Sequence, residues 1–216
     1  MSGKNEVLKK IEQLGVLAVL RGPSRELTLK MVEALVKGGV TGIEITFTTP
    51  DALQVVSDLH QNFGSAITLG MGTLTETEQA QAAKDAGAEF LVSPHTEREL
   101  ARAMTATGLA CMFGALSPSE VQLAWSLGSD VVKIFPGSLG GPGYMKSLKG
   151  PFPEIPMMPT GGVSQENLAA WFRAGAFAVG AGSNLCPKDL AAAGEFSKIT
   201  RIAKEFLAAL QSAREI

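Results

Sequence analysis

The chain has 216 residues, enough for one compact core, and its 45% hydrophobic and 19% charged residues are those of an ordinary globular protein rather than a disordered one. Its 19 basic and 21 acidic side chains are mixed throughout and leave a net charge of −2, which excludes the clustered basic surface that nucleic acid requires. No apolar signal core occupies residues 1–10 and no apolar run is long enough to span a bilayer, so we expect no membrane partner and a cytoplasmic location.

In chain order, residues 1–14 read as an amphipathic helix presenting Val7, Leu8 and Ile11 on one face, with solvated lysines on the other. Short apolar runs then alternate with amphipathic segments. The runs at 15–21, 42–47, 66–73, 90–94, 110–116, 130–136, 157–161 and 178–183 are strand candidates, most of them too short for helices. Between them, Thr75 with Glu78, Thr96 with Glu99 and Ser117 with Glu120 have capping-box spacing, and Pro118 suits a first helical turn. Gly38, Gly87, Gly108, Gly128 and Gly175 fall where helices should stop. Residues 196–210 carry Ile199, Ile202, Phe206 and Leu210 at helical spacing and suit a final outer helix.

Eight βα units predict a (β/α)8 barrel with an extra N-terminal helix, forming one domain over residues 1–216. An open doubly wound sheet shares the alternation but calls for a phosphate-binding glycine loop after the first strand. That position reads Arg21-Gly22-Pro23-Ser24. Cys111 and Cys186 lie 75 positions apart and read as buried thiols, and His60 and His95 do not form a metal-ligand pair, so a metal-dependent mechanism lacks obvious ligands.

Barrel strands should be apolar on both faces, so a charge within one is informative. In 130–137, two-residue alternation puts Lys133 on the face of Val131 and Phe135, opposite Val132 and Ile134. In 42–47, Glu44 and Thr46 share the face opposite Ile43, Ile45 and Phe47, so Glu44 should point into the barrel. A buried charge needs a partner or a purpose. Two readings are open at this point: a structural ion pair or a lysine snorkelling to the rim, and a reactive amine that burial keeps available for attack on a ketone. Arg21, Thr73, Ser93-Pro94-His95, Thr160-Gly161-Gly162 and Gly182-Ser183 stand at the C-terminal ends of the strands, the face where barrel active sites lie.

With these residues assembled, the chain resembles the 2-keto-3-deoxy-6-phosphogluconate (KDPG) and 4-hydroxy-2-oxoglutarate (KHG) aldolase family nearly end to end. The resemblance rests on Gly42-Ile-Glu-Ile-Thr-Phe47, Gly70-Met-Gly-Thr73, Val92-Ser-Pro-His95, Val132-Lys-Ile-Phe-Pro-Gly137, Pro159-Thr-Gly-Gly-Val163 and Gly180-Ala-Gly-Ser183. It implies a homotrimeric lyase that splits a 2-keto-3-deoxy sugar acid 6-phosphate into pyruvate and glyceraldehyde 3-phosphate. Lys133 matches the Schiff-base lysine and Glu44 the general acid/base, in a mechanism that needs no metal or organic cofactor; Phe135 packs beside the lysine, Thr73 matches a residue contacting the pyruvate moiety, and Pro94 is a further substrate-binding candidate. Thr160, Gly161, Gly162 and Ser183 match the phosphate-end contacts. Some members carry an arginine four residues after the glutamate where this chain has Thr48, so Arg21 is expected to bind the substrate carboxylate together with Thr73. Thr160 favours the phosphogluconate substrate over its galactonate epimer or unphosphorylated 4-hydroxy-2-oxoglutarate. A phosphosugar isomerase or epimerase on the same barrel is the competing class.

Overall fold

A computed structural model describes residues 3–214. Along the chain run α1 (Gly3–Leu14), β1 (Val16–Leu20), α2 (Arg25–Lys37), β2 (Gly42–Thr46), α3 (Ala52–Phe63), β3 (Thr68–Gly72), α4 (Glu78–Asp85), β4 (Phe90–Val92) and α5 (Arg98–Ala106). They are followed by β5 (Ala110–Ala115), α6 (Pro118–Ser126), β6 (Val131–Ile134), α7 (Gly141–Lys149), β7 (Met157–Pro159), α8 (Leu168–Arg173), β8 (Val179–Ala181), α9 (Lys188–Ala192) and α10 (Phe196–Arg214). Each apolar run contains a strand, as expected from its shortness. Residues 1–2 of the expected first helix and 215–216 of the chain lie outside the described residues.

The eight strands form one parallel sheet in the order β7-β6-β5-β4-β3-β2-β1-β8. Bridges between Met157 and Ala176 and between Thr160 and Gly180 close it into a (β/α)8 barrel. The β7–β8 seam is held by bridges rather than a ladder, and Pro159 supplies a physical reason. The Thr160 N–H donates to Ile134 on β6, so the preceding residue turns its nitrogen toward β8, and a proline there has no N–H to give.

Inside the barrel, Leu17, Phe90, Met112, Val131 and Met158 form an apolar floor that meets Val7 and Ile11 of α1. The plug helix stops because Gly15, at φ 71°, turns its N–H back to the Ile11 carbonyl at 3.0 Å. Ile11 is fully buried, and truncating it to alanine would cost about 2–5 kcal/mol by leaving a hole under the floor. Ile43, Ile45, Val132 and Ile134 point the other way, into the larger core between strands and helices. On the plug's outer face Lys4 is drawn into an ion pair with Asp130 at 2.9 Å. α10 buries Ile199, Ala203, Phe206 and Leu210 against α2 and α8 and fills the ring between the first and last βα units, while Ile202 sits at its half-buried edge. No helix among the described residues is long and apolar enough to cross a membrane.

Several local expectations change. Ser117 and Glu120 do form a reciprocal capping box with Pro118 in the first turn. Thr96 does not cap α5: its hydroxyl is taken by the Gly114 carbonyl at 2.8 Å, and Glu97 instead accepts the Glu99 and Leu100 N–H groups. At α4, Thr75 caps nothing with its side chain; its own N–H donates to Gln79 at 2.7 Å. Gly38 keeps right-handed geometry at φ −83°, and Gly39, at φ 93°, makes the reversal after α2.

Candidate active site

β2 and β6 stand four strands apart, on opposite walls of the barrel, and each sends one charged side chain inward. The Lys133 and Glu44 side chains are 5% and 0% exposed, which removes the reading of a lysine snorkelling to solvent. Lys133 Nζ lies 3.4 Å from Glu44 Oε1. The same nitrogen is 5.4 Å from the centre of the Phe135 ring, which stands 38% exposed at the rim.

Small neighbours make room for this pair. A Cβ at Gly72 would collide with Glu44 Oε1 and lie 2.6 Å from its Cδ. One at Gly180 would strike Thr160 Oγ1, and one at Gly114 the Pro94 carbonyl. The interior here is under-satisfied: among the described residues, neither Glu44 Oε2 nor Thr160 Oγ1 has a hydrogen-bond partner. A purely structural buried pair is tolerated when its remaining lone pairs are occupied, because desolvating each ion costs several kcal/mol. Here a fully buried carboxylate leaves one oxygen idle beside a lysine, which is the arrangement of groups held ready for a ligand.

The C-terminal rim collects the other expected residues. Thr73 follows β3 at φ 60°, a left-handed conformation uncommon for a β-branched residue, and is half-buried. Pro94 is half-buried after β4; next to it the Ser93 hydroxyl donates to the His95 carbonyl at 2.7 Å, while the His95 side chain is exposed. The Phe135–Pro136 peptide after β6 is cis. Gly161 and Gly162 follow β7 at φ 93° and 74°, and the Gly137 N–H ties the β6 loop to the Thr160 carbonyl at 2.8 Å. Ser183 is exposed at the end of β8.

Arg21 is fixed from both sides. The carbonyl before it, Leu20, accepts from Thr46 Oγ1 at 3.1 Å and from Thr49 Oγ1 at 3.4 Å. The N–H after it, Gly22, donates to Thr49 Oγ1 at 3.2 Å. Thr48 joins this hydroxyl cluster 3.0 Å from Thr46 Oγ1. Arg21 lines a cleft of about 290 Å3 together with Thr46, Gly182, Ser183 and Lys188, and Thr73 is not part of that lining. The structure therefore brings Lys133, Glu44 and Phe135 to one point and Arg21 and Ser183 to another. Thr49 and Lys188 were not singled out from sequence, and Thr46 was noted only for sharing the face of Glu44; the hydroxyl-rich 46–49 stretch at the end of β2 was the available signal for the two threonines.

The thiols are remote from this chemistry in character: burial pushes both Cys111 and Cys186 up to about 12. No three His, Cys, Asp or Glu side chains gather among the described residues as a metal site would need.

The chain is 32% identical over 202 residues to a 2-dehydro-3-deoxy-phosphogluconate aldolase of Treponema pallidum, covering 93% of this chain and 96% of the relative. It is equally 32% identical, over 204 residues, to a 2-dehydro-3-deoxy-6-phosphogalactonate aldolase of Escherichia coli, covering 94% and 96%. Among solved structures it superposes with a TM-score of 0.82 and 28% identity on the KDPG aldolase of Legionella pneumophila with pyruvate captured as a covalent carbinolamine, over 94% of this chain and 97% of that one. The family model for KDPG and KHG aldolases matches residues 7–202. Since that match runs from the plug helix α1 into α10 and takes in both inward-facing charges, the chain belongs to the KDPG and KHG aldolase family.

Proposed function

We propose that this protein is a class I, metal-independent aldolase that cleaves 2-keto-3-deoxy-6-phosphogluconate into pyruvate and glyceraldehyde 3-phosphate through a Schiff base on Lys133. The observation that carries the reading is the buried Lys133–Glu44 pair, 3.4 Å apart, with the second Glu44 oxygen free to meet a ligand. The carbinolamine named for the Legionella relative supports the same chemistry at its pyruvyl end.

Lys133 Nζ adds to the C2 carbonyl carbon, and loss of water from the carbinolamine gives a protonated imine. Glu44, through one water, removes the proton of the C4 hydroxyl; the C3–C4 bond breaks, its electrons pass to the iminium as an enamine, and the aldehyde departs. Protonation of the enamine at C3 and hydrolysis of the imine release pyruvate and restore the amine. The iminium is the electron sink throughout, so the sequence needs neither a metal nor an organic cofactor.

Phe135 walls the imine and Thr73 and Pro94 hold the pyruvyl end; Arg21 shares its cleft with Ser183 and not with Thr73, which supports a role at the phosphate end in place of the expected carboxylate contact. Thr160, Gly161, Gly162 and Ser183 take the phosphate end, where positive-φ glycines turn backbone N–H groups toward an anion. The catalytic unit is one domain over residues 1–216, working as a cytoplasmic homotrimer. A second substrate has specific support: the galactonate-epimer relative is as similar as the gluconate one, at 32% each, whereas Thr160 favours the gluconate form. Pyruvate release from each epimer, coupled to NADH oxidation by lactate dehydrogenase, tests both. Turnover of the phosphogluconate substrate that disappears in Lys133→Arg is expected. Unchanged turnover in that variant would overturn the reading.

A further inference from the structure

The cleft at the ends of β1 and β8 contains one cation that the reaction scheme leaves unused, Lys188. Two cations, Arg21 and Lys188, face it with the hydroxyls of Thr46 and Ser183, and no acidic side chain lines it. Among the described residues neither cation forms an ion pair, although Lys4, Lys10, Arg25, Lys30, Arg102, Lys198 and Arg201 all do. Two other clefts with several cations contain glutamates as well: Glu33 beside Lys30 and Lys37, and Glu6 with Glu89 beside Lys4, Lys10 and Lys84. Two unpaired like charges converging on one concave surface repel each other and gain most from a shared anion of high charge.

We infer that Lys188 is a further substrate-binding residue, which acts with Arg21 to recognise the phosphate dianion of the substrate and so sets the preference for phosphorylated over unphosphorylated keto acids. This rests on the aldolase reading and deepens it. Position supports it: β8 and β7 are neighbours at the seam, so the Ser183 edge of the cleft continues from the Thr160-Gly161-Gly162 turn, and Lys188 adds on that edge the mobile charge which backbone N–H groups lack. Thr49, bonded on both sides of Arg21, fixes the backbone that carries the guanidinium, and Lys188 reaches the same cleft from the start of α9.

The test compares wild type, Lys188→Ala and Lys188→Arg in three measurements: steady-state cleavage of the 6-phosphorylated keto acid and of 4-hydroxy-2-oxoglutarate, binding of inorganic phosphate, and borohydride trapping with pyruvate. Loss of a charge-assisted contact to a dianion predicts that the ratio of kcat/KM between the phosphorylated and unphosphorylated substrates falls about ten-fold in Lys188→Ala. The change lies in KM rather than kcat, phosphate binding weakens in parallel, and Lys188→Arg restores both. An unchanged ratio with unchanged phosphate affinity overturns the inference. Wild type that cannot be trapped with pyruvate, yet loses phosphate affinity in Lys188→Ala, overturns the aldolase reading and supports the anion seat.

Discussion

Replacing Gly72 with alanine should damage proton transfer while sparing the lysine. A Cβ there would sit 2.6 Å from Glu44 Cδ and 2.7 Å from Cγ, whereas carbon atoms in contact settle at about 3.5–4.0 Å. The backbone cannot retreat readily: Gly72 pairs with Thr46 in the β2–β3 ladder, and its carbonyl accepts the Phe47 N–H at 2.8 Å. The carboxylate must therefore move by about 1 Å, a displacement that costs about 100-fold when the moved group takes part in the reaction. Overpacking adds about 1–3 kcal/mol of destabilisation, visible as a lower thermal midpoint in an otherwise cooperative transition. The assay is exchange of pyruvate methyl protons with D2O followed by NMR, which needs both imine formation and a base. Exchange about 100-fold slower, with borohydride still labelling Lys133, is the expected result. A folded Gly72→Ala protein that exchanges at the wild-type rate would refute the placement of Glu44 as the proton-transfer group.

Three further outcomes follow from the same structure. Glu44→Leu strands the Lys133 charge in the barrel and should cost about 3–5 kcal/mol in urea unfolding, whereas the Glu44→Leu/Lys133→Met double variant should regain most of it; equal losses in both would contradict a coupled buried pair. Cys111 and Cys186, both at about 12, should hold about one thiolate in ten thousand at pH 8 and resist iodoacetamide until the protein unfolds; rapid labelling of the native protein would contradict their burial. The backbone N–H groups of Ser117 and Leu116 hold the Glu120 carboxyl below its usual range, so its stabilising effect is present above the unfolded-state value of about 4.3 and is lost as pH falls through the folded one. Glu120→Gln should accordingly lower the thermal midpoint at pH 7, with the difference from wild type shrinking in acid; a difference independent of pH would contradict this.

Much of the barrel was legible because its strands are short, apolar and regularly spaced, and because period-two alternation assigns each residue a face without reference to partners. That logic put Glu44 inside the barrel, and Lys133 on one face with Val131 and Phe135, before any contact was known. Contacts set by the third dimension were not legible. Thr96 has the sequence of a cap, but the neighbouring strand's Gly114 carbonyl competes for its hydroxyl, and Glu97 takes over. The glycines of β3, β5 and β8 read as turn or strand residues, while in the fold they are the empty space into which Glu44, Pro94 and Thr160 project. Arg21 was read as a partner of Thr73 because it ends the preceding strand. The cleft it lines instead contains Ser183 and Lys188, since β1 closes against β8 only once the sheet curls round.

The central claim is a covalent bond between Lys133 and a keto acid. Incubation with pyruvate and sodium borohydride, followed by peptide mapping, addresses it directly. The account predicts a reduced pyruvate adduct on Lys133 and on no other lysine. Protein that binds pyruvate yet acquires no lysine adduct would contradict it and turn the buried pair into the site of an isomerase or a simple binding protein.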